Sequence, residues 1–525
     1  MFQQADKIPN GNWVIVYTMG MAMLYLPFFL IGHLWAIAGG YPTDGYSFPY
    51  QFCVSTGMMI YIVLGIIIFR KLLLRYFSDK VTAVVLFLFC LGTNYFREAT
   101  DYNMGPHATL FMFYCLLIYY TIKWHQIPKV KYAVVIGVSL GFISLIRPSE
   151  VICILIPLFW NVNNKQALMD KITMVKQYWK HLLVLFFACF IVGIPQMMYW
   201  KTVAGSWFFN SYWNHPSFTI ESHVMNIFFS FRKGWFLYTP MIAFAFIGFY
   251  FLYKYKLFKS TPVVVSFIIL NIFIISHNPV WWNAGSLGQR FMVQSYVILA
   301  FPFGAFIQYV YEKKLMFKLF ISTIFGLFVL LNIFQTWQLT NWIIPGDGIT
   351  EEYYKRMFLK TKTTPEDERW LLHSEYGDVK DALVQGIKYD KVYSCSLDID
   401  GGSTMLNADN VFSKPILTPT NLGYDVADNY LVASAIIDTN AANISTDLSA
   451  HLVTVINKNG KLFQYRQHDF NYNDVKTNNG NIQLSVLVPP QVSDGHYELS
   501  SYVYIDGKCK MKLLNLTVSV LKEGK

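Results

Sequence analysis

Residues 51–80 read QFCVSTGMMIYIVLGIIIFRKLLLRYFSDK. Gln51 to Phe69 carries no charge, and Arg70, Lys71, Arg75 and Lys80 then follow in quick succession. An apolar run of this length predicts a helix that crosses a bilayer, and the basic residues that close it predict a loop left on the cytoplasmic side. The alternation recurs along the chain. Further runs at 13–38, 81–96, 109–122, 132–146, 151–160, 181–204, 234–253, 261–276, 291–311 and 319–340 bring the predicted spans to about eleven. Several are short for a hydrocarbon layer of about 30 Å. The pair flanking Arg147-Pro148 reads equally as broken or re-entrant helices.

The loops between the runs fall into two sets. One holds 18 basic residues, among them Lys123, Lys129, Lys131, Lys165, Lys171, Lys176 and Lys180; the other holds six, namely Arg97, Arg147, Lys201, Arg232, Lys233 and Arg290. The positive-inside rule then predicts a cytoplasmic N-terminus and an extracytoplasmic tail, in a multi-pass protein of a plasma or bacterial inner membrane. An odd number of spans also puts the two ends on opposite sides. The first run lacks a small-residue cleavage site and reads as a retained span. Five of the nine acidic residues before Thr340 (Asp44, Glu98, Asp101, Glu150, Glu221) fall in loops of the second set.

The composition agrees. At 54% hydrophobic and 18% aromatic the chain is too apolar for a soluble domain. The net charge of +10 divides into +15 through Thr340 and −5 beyond it. Basic charge confined to short loops between apolar runs excludes the stripe of a nucleic-acid binder. No Cys or His spacing predicts a metal site, and no cofactor is expected. Cys395 and Cys509, both in the tail, are the one pair available for a disulfide.

Residues 1–340 are therefore read as an α-helical polytopic membrane domain, 341–390 as a helical connector and 391–525 as an extracytoplasmic domain. In the last segment apolar residues alternate over 451–456, 461–466, 482–488, 497–505 and 510–520. Turn signals such as Asn478-Asn479-Gly480 separate these stretches, and the pattern predicts an all-β sandwich.

The second set of loops holds the candidate chemistry. The first runs from Gly39 to Tyr50 and contains Asp44 and Tyr46; Asp44 before Gly45 reads as a turn former or as a general base. The next runs from Asn94 to His107, where Arg97, Glu98 and Asp101 form a surface ion-pair cluster or a catalytic set. Arg147 and Glu150 stand three apart beside a bilayer segment, where charge is costly and function a fair default. Trp207, His215, Glu221 and His223 lie in the longest loop, without zinc-helix spacing. Arg232-Lys233 close that loop, and Trp281-Trp282 through Gly288-Gln289-Arg290 form the last one. Guanidinium and helix-start N–H groups suit a phosphate, with snorkelling to headgroups as the plain alternative.

In their order and side, these pieces resemble the membrane-embedded glycosyltransferases of the GT-C type, relatives of the protein O-mannosyltransferases and the lipid A aminoarabinose transferases. The matching positions are Asp44, the stretch Asp101 to His107, Arg147-Pro148, Phe231 to Gly234 with Tyr238-Thr239-Pro240, and Trp281-Trp282 through Arg290. The resemblance implies a polyprenyl-phosphate-linked sugar as donor and inverting transfer to a lipid, glycan or protein acceptor. It implies Asp44 as base, with Glu98 or Asp101 supplying a second carboxylate, since many relatives carry two adjacent acids where this chain has one. Arg290, Arg232, Lys233 and Arg147 would hold the donor phosphate, with His107, Trp282 and Tyr46 lining the site. A lipid-linked glycan polymerase or ligase is the second reading and a transporter the third. A transporter would predict mid-span ionisable residues and inverted repeats; the sequence shows almost none of the first and no repeat.

Overall fold

The computed structural model describes residues 5–212, 218–255, 258–364, 367, 370–372, 389–396, 404–418, 430–440, 442–458, 460–488, 497–506 and 509–523. They form two compact units, Met1–Trp342 and Ile343–Lys525.

The first unit is helical. A small hairpin of β1 (Ala5–Lys7) and β2 (Trp13–Ile15) precedes α1 (Gly20–Gly39), α2 (Phe48–Leu73), α3 (Asp79–Gly92), the short α4 (Tyr95–Ala99), α5 (Pro106–Gln126) and α6 (Val130–Ile146). After α7 (Leu155–Phe159) and α8 (Lys165–Gln177) come α9 (Trp179–Ala204), α10 (Val224–Phe229), α11 (Trp235–Tyr238), α12 (Ala243–Lys254), α13 (Thr261–Ser276), α14 (Tyr296–Tyr311) and α15 (Leu315–Thr340). Among the described residues five helices are long and apolar enough to cross a membrane: α1, α2, α9, α15 and the continuous stretch Arg290–Tyr311. The count of eleven is not reproduced: Val130–Ile146, Pro148–Phe159, Pro240–Lys254 and Thr261–Ser276 are shorter apolar helices, α3 has 14 residues, and α5 is not among the five. Leu34, Ile191 and Leu330 are exposed on the long helices, as side chains that meet acyl chains should be.

Two helix lengths are mixed in this bundle. α2 and α5 run the same way: Asn103 Nδ2 bonds Ser55 Oγ at 3.0 Å at one end, and Arg75 bonds Gln126 Oε1 at 2.8 Å at the basic end. The 14-residue α3 returns from the basic end. At 1.5 Å per residue it rises about 21 Å, short of the roughly 30 Å of a hydrocarbon core. There Asn332 Nδ2 of α15 donates to the carbonyls of Leu91 and Thr93, each at 2.9 Å, and α15 continues beyond to Thr340. Tyr296, at the start of α14, donates to Asn94 Oδ1 at 2.5 Å and accepts from Trp235 Nε1 at 3.0 Å. The short helices therefore end together on a floor below the tips of the long ones. Close approach depends on small residues: a Cβ on Gly248 would lie 2.0 Å from the Pro302 carbonyl oxygen.

The N-terminal segment packs against α9. Asn10 and Asn12 donate to the Val203 carbonyl at 2.9 and 2.8 Å, Tyr199 Oη bonds the Ile15 N–H at 3.0 Å, and Ser211 Oγ donates to the Val16 carbonyl at 2.8 Å. Those partners lie at the end of α9 remote from Lys176 and Lys180. Gly20 then starts α1 against the backbone of Leu145 and Ile146, at the end of α6 remote from the basic loops. The hairpin and the start of α1 therefore pack at the ends of α9 and α6 remote from the basic loops. The two short strands and their Asn-rich turn supplied local polar partners for that end of α9, which hydropathy alone did not register.

The second unit is a pair of antiparallel sheets. One has the order β5 (Ile416–Thr418), β10 (Tyr497–Ile505), β7 (Ser449–Lys458), β8 (Lys461–Asn471). The other has β3 (Tyr389–Ser396), β11 (Met511–Glu523), β6 (Tyr430–Ile437), β9 (Asn481–Leu487), with β4 (Thr404–Leu406) also on β11. Leu452 and Val503 from the first sheet and Ala433 and Val518 from the second belong to one apolar core, which is a sandwich. Ahead of β9, Gly480 has φ +79°, and a Cβ there would meet the Ile437 carbonyl at 2.2 Å, so both conformation and space require glycine. The connector helix α16 (Glu351–Met357) is capped by Thr350 Oγ1 on the Tyr353 N–H, and Leu371 accepts from Arg466 at 2.7 Å, so this segment packs within the second unit. Residues 373–388 of the connector lie outside the described residues. Cys395 and Cys509 do not pair: both are free, and Cys395 faces Val518 across β3 and β11.

Candidate active site

Pro148 cannot continue α6, because it lacks an N–H and disfavours helical geometry in the residue before it. The chain therefore breaks at Arg147 and turns through a 3₁₀ helix, Pro148–Ile154, which brings Glu150 inside the bundle, 1% exposed. Its carboxylate is saturated with donors: Tyr114 Oη at 2.5 Å, Gln294 Nε2 at 2.7 Å and an Arg147 guanidinium nitrogen at 3.3 Å. α5, the 3₁₀ turn ahead of α14 and the broken α6 meet on this one group.

Gln294 belongs to a second 3₁₀ turn, Arg290–Ser295, ahead of α14. Its Nε2 also donates to the Phe291 carbonyl at 2.8 Å, so both amide hydrogens are committed. The amide oxygen must then accept from His107 Nδ1, 3.3 Å away. That assignment puts the imidazole hydrogen on Nδ1 and leaves Nε2 as the acceptor nitrogen. Arg147 stacks over the Phe291 ring at 3.5 Å from carbon to centroid, and Arg290 approaches the same ring at 5.7 Å.

Next to this network, Arg97 and Glu98 are paired at 2.9 Å and buried, and Asp101 lies 3.8 Å from Arg97 Nε with its side chain 34% exposed. Tyr102 covers the Arg97 guanidinium at 4.6 Å. Burial raises the Glu98 carboxyl above the usual carboxylate range, while the charges of Arg97 and Arg290 pull it back. Three buried polar atoms of this cluster have no hydrogen-bond partner among the described residues: Arg97 Nε, Glu98 Oε2 and Arg290 Nε. Arg290 makes no ion pair there either.

The other expected site residues are distributed as follows. Arg232 lies over the Trp282 ring at 3.9 Å, joining two predicted positions. Lys233 is fully buried and donates to the Ser286 carbonyl, which ties the last loop to the Phe231–Gly234 turn. Asp44 is exposed, and its Oδ1 accepts from the N–H groups of Tyr46 and Ser47 at 2.8 and 3.0 Å, a turn within its own loop. Tyr46 is exposed as well. The structure thus brings Arg97, Glu98, Asp101, His107, Arg147 and Arg290 together, Arg232 and Trp282 together, and leaves Asp44 and Tyr46 in contact only with their own turn and neighbouring helices. His215 lies outside the described residues. Tyr114, Glu150, Gln294 and Phe291 complete the network. Glu150 was marked by its spacing from Arg147, and Gln294 is an amide near the start of an apolar run, but nothing in the sequence marks Tyr114.

No family model matches this sequence, and no curated protein matches it. In structure the chain is similar to the archaeal oligosaccharyltransferase AglB from Archaeoglobus fulgidus, solved with an inhibitory peptide and a dolichol-phosphate. The identity is 12% and the TM-score 0.38, over 70% of this chain and 52% of that one, so the chain spans about half that protein's length. At that identity and TM-score the likeness assigns neither fold family nor activity.

Proposed function

We propose that the chain is an integral membrane glycosyltransferase that moves a sugar from a polyprenyl-phosphate carrier to an acceptor on the side away from the basic loops. The observation that carries the reading is the uncommitted Arg290 guanidinium. It sits among two further arginines, at a polar floor recessed within the height of the long helices. An unpaired guanidinium there suits an anion delivered from within the bilayer, and a phosphate held by charge-assisted bonds is the obvious candidate.

The reaction follows from the residue types. The acceptor's hydroxyl or amine attacks the anomeric carbon, the bond from that carbon to the phosphate oxygen breaks, and the carrier phosphate leaves with the bonding pair. Arg290, with Arg147 and Arg232, stabilises the charge that develops on it. Attack from the face opposite the phosphate inverts the anomeric centre. A carboxylate takes the acceptor's proton. Asp101 combines the two properties needed, since it belongs to the charged cluster and is open to solvent. Asp44 is open but stands in its own turn, and Glu98 lies in the cluster but is closed. Asp101 is therefore placed first in this role, ahead of Asp44 and Glu98.

The test is mass spectrometry of polyprenyl-phosphate sugars in cells with and without the gene, followed by transfer with the purified protein in nanodiscs. The reading predicts one monophosphate-linked sugar that accumulates on deletion and is consumed in vitro. Accumulation of a diphosphate-linked glycan instead would favour the polymerase or ligase reading.

A further inference from the structure

The antiparallel register of the first sheet puts Tyr504 of β10, His451 of β7 and Asp469 of β8 side by side, and two residues along each strand it aligns Tyr502, Val453 and Gln467. Residues two apart share a face. These are on the face opposite the core, since Leu499, Val503, Leu452 and Phe470 point inward. Phe412, 55% exposed and bridged to Tyr504, extends the row, its ring 5.5 Å from Tyr504 and 6.1 Å from Tyr502. A soluble sheet has no structural need for three such rings in a patch on its outer face.

A fixed polar edge runs beside the rings. His451 stacks on Tyr504 at 4.4 Å, with Nδ1 2.7 Å from Asp469 and Nε2 2.8 Å from Asp506. Gln467 donates to Asp469 at 2.7 Å and Ser449 to Asp506 at 2.9 Å. Each carboxylate so held keeps its second oxygen without a partner among the described residues, and the side chains are 64% and 54% exposed. The patch therefore combines the exposed Phe412 ring and the half-buried rings of Tyr502 and Tyr504, which bind C–H surface, with exposed acceptor oxygens, which bind hydroxyl donors.

We propose that this face is a saccharide-binding site. A neutral sugar ring supplies both complements at once, an apolar C–H face for Tyr502 and Tyr504 and hydroxyl donors for Asp469 and Asp506. The carboxylates repel anionic ligands. Cationic ligands are the weaker fit, because His451 already sits between the two carboxylates and the rings lie across one flat sheet instead of facing each other as the walls of a cage. The site belongs to the second unit, and the proposal does not depend on the proposed reaction.

The experiment uses the full chain in nanodiscs on an array of immobilised neutral gluco-, manno-, galacto- and N-acetylglucosamine oligomers, with oligolysine as the cationic probe. At least one saccharide series should be retained. Tyr502→Ala and Tyr504→Ala should each weaken retention tenfold or more, Asp469→Asn several-fold, and Tyr502→Phe less than twofold, with thermal unfolding unchanged in Tyr502→Phe and Asp469→Asn. Retention of no saccharide, equal retention by Tyr502→Ala, or binding of oligolysine alone would overturn the proposal. Transfer to a small soluble acceptor is read in parallel and should be untouched by Tyr502→Ala. Loss of transfer chemistry with saccharide retention intact would strike the reaction and leave this site standing.

Discussion

Glu150 fixes the orientation of Gln294: the carboxylate takes one amide hydrogen at 2.7 Å, and the amide oxygen is thereby turned to His107. A residue 144 positions away in sequence thus sets which nitrogen of an imidazole carries its proton. Glu150→Gln removes both the counter-charge of Arg147 and the constraint on the amide. Breaking a buried pair from one side costs about 3–5 kcal/mol, so the variant should unfold at a clearly lower temperature in detergent. Thermal unfolding within a degree of the parent would show that the network is dispensable.

Arg290→Lys replaces a planar fork with a point charge on a flexible stem. Loss of one donor aimed at a leaving phosphate costs about 10²-fold in turnover, and a drop of at least tenfold in single-turnover transfer is expected with protein level unchanged. Parent-like transfer by this variant would assign Arg290 to headgroup contact.

Asp101→Asn keeps shape and removes proton acceptance, and transfer should fall about 10²-fold. Asp44→Asn should fall much less, because its Oδ1 serves a local turn that an asparagine oxygen also satisfies. Measured side by side in nanodiscs, a reversed order would restore Asp44 to the role of base.

The Glu98 carboxyl is raised by burial, so its charged form is disfavoured in the folded state. For such a group the stabilising contribution is complete below the unfolded value and is lost as pH rises through the folded one. Glu98→Gln has no such dependence. The stability of the variant relative to the parent should therefore increase with pH above the usual carboxylate range, and a gap independent of pH in melting curves from pH 4 to 8 would contradict this.

Residues 5–17 should be accessible from the same side as Glu221. A cysteine at exposed Lys7 should label with a membrane-impermeant maleimide under the conditions that label one at Glu221, and not under those that label one at Lys176. Labelling of Lys7→Cys together with Lys176→Cys would return the N-terminal segment to the basic side.

What was legible in the sequence was periodic or compositional. Alternation marked β8 to β11 because one face of each is the more buried, whereas β7 is buried on both faces from Ala450 to Ile456; Asn479-Gly480 marked the turn before β9 because two successive positive φ values admit few residues. Basic loops and apolar runs marked the helices. The break at Arg147-Pro148 was visible because proline stops a helix by covalent geometry. Other features depend on tertiary contact alone. Tyr114 looks like any aromatic on an apolar helix until Glu150 is folded against it, and α17 (Tyr472–Thr477), held by the reciprocal Asn471 and Asp474 cap, interrupts a stretch that reads as strand and turn. The packing of the N-terminal hairpin against α9 was hidden because hydropathy records the length of an apolar run and not where its first turn docks.

The uneven helix lengths bear on the lipid around the protein as well as on the site within it. α3 and α13 present Phe87, Ile269 and Phe273 outward, yet with 14 and 16 residues they are shorter than the hydrocarbon they meet. A leaflet matches a short apolar wall by thinning, at a cost that grows with each ångström of mismatch. Headgroups drawn inward along these walls would bring a carrier's phosphate toward the depth of Arg290. Under the proposed function, short acyl chains should ease the descent of the donor and long ones oppose it.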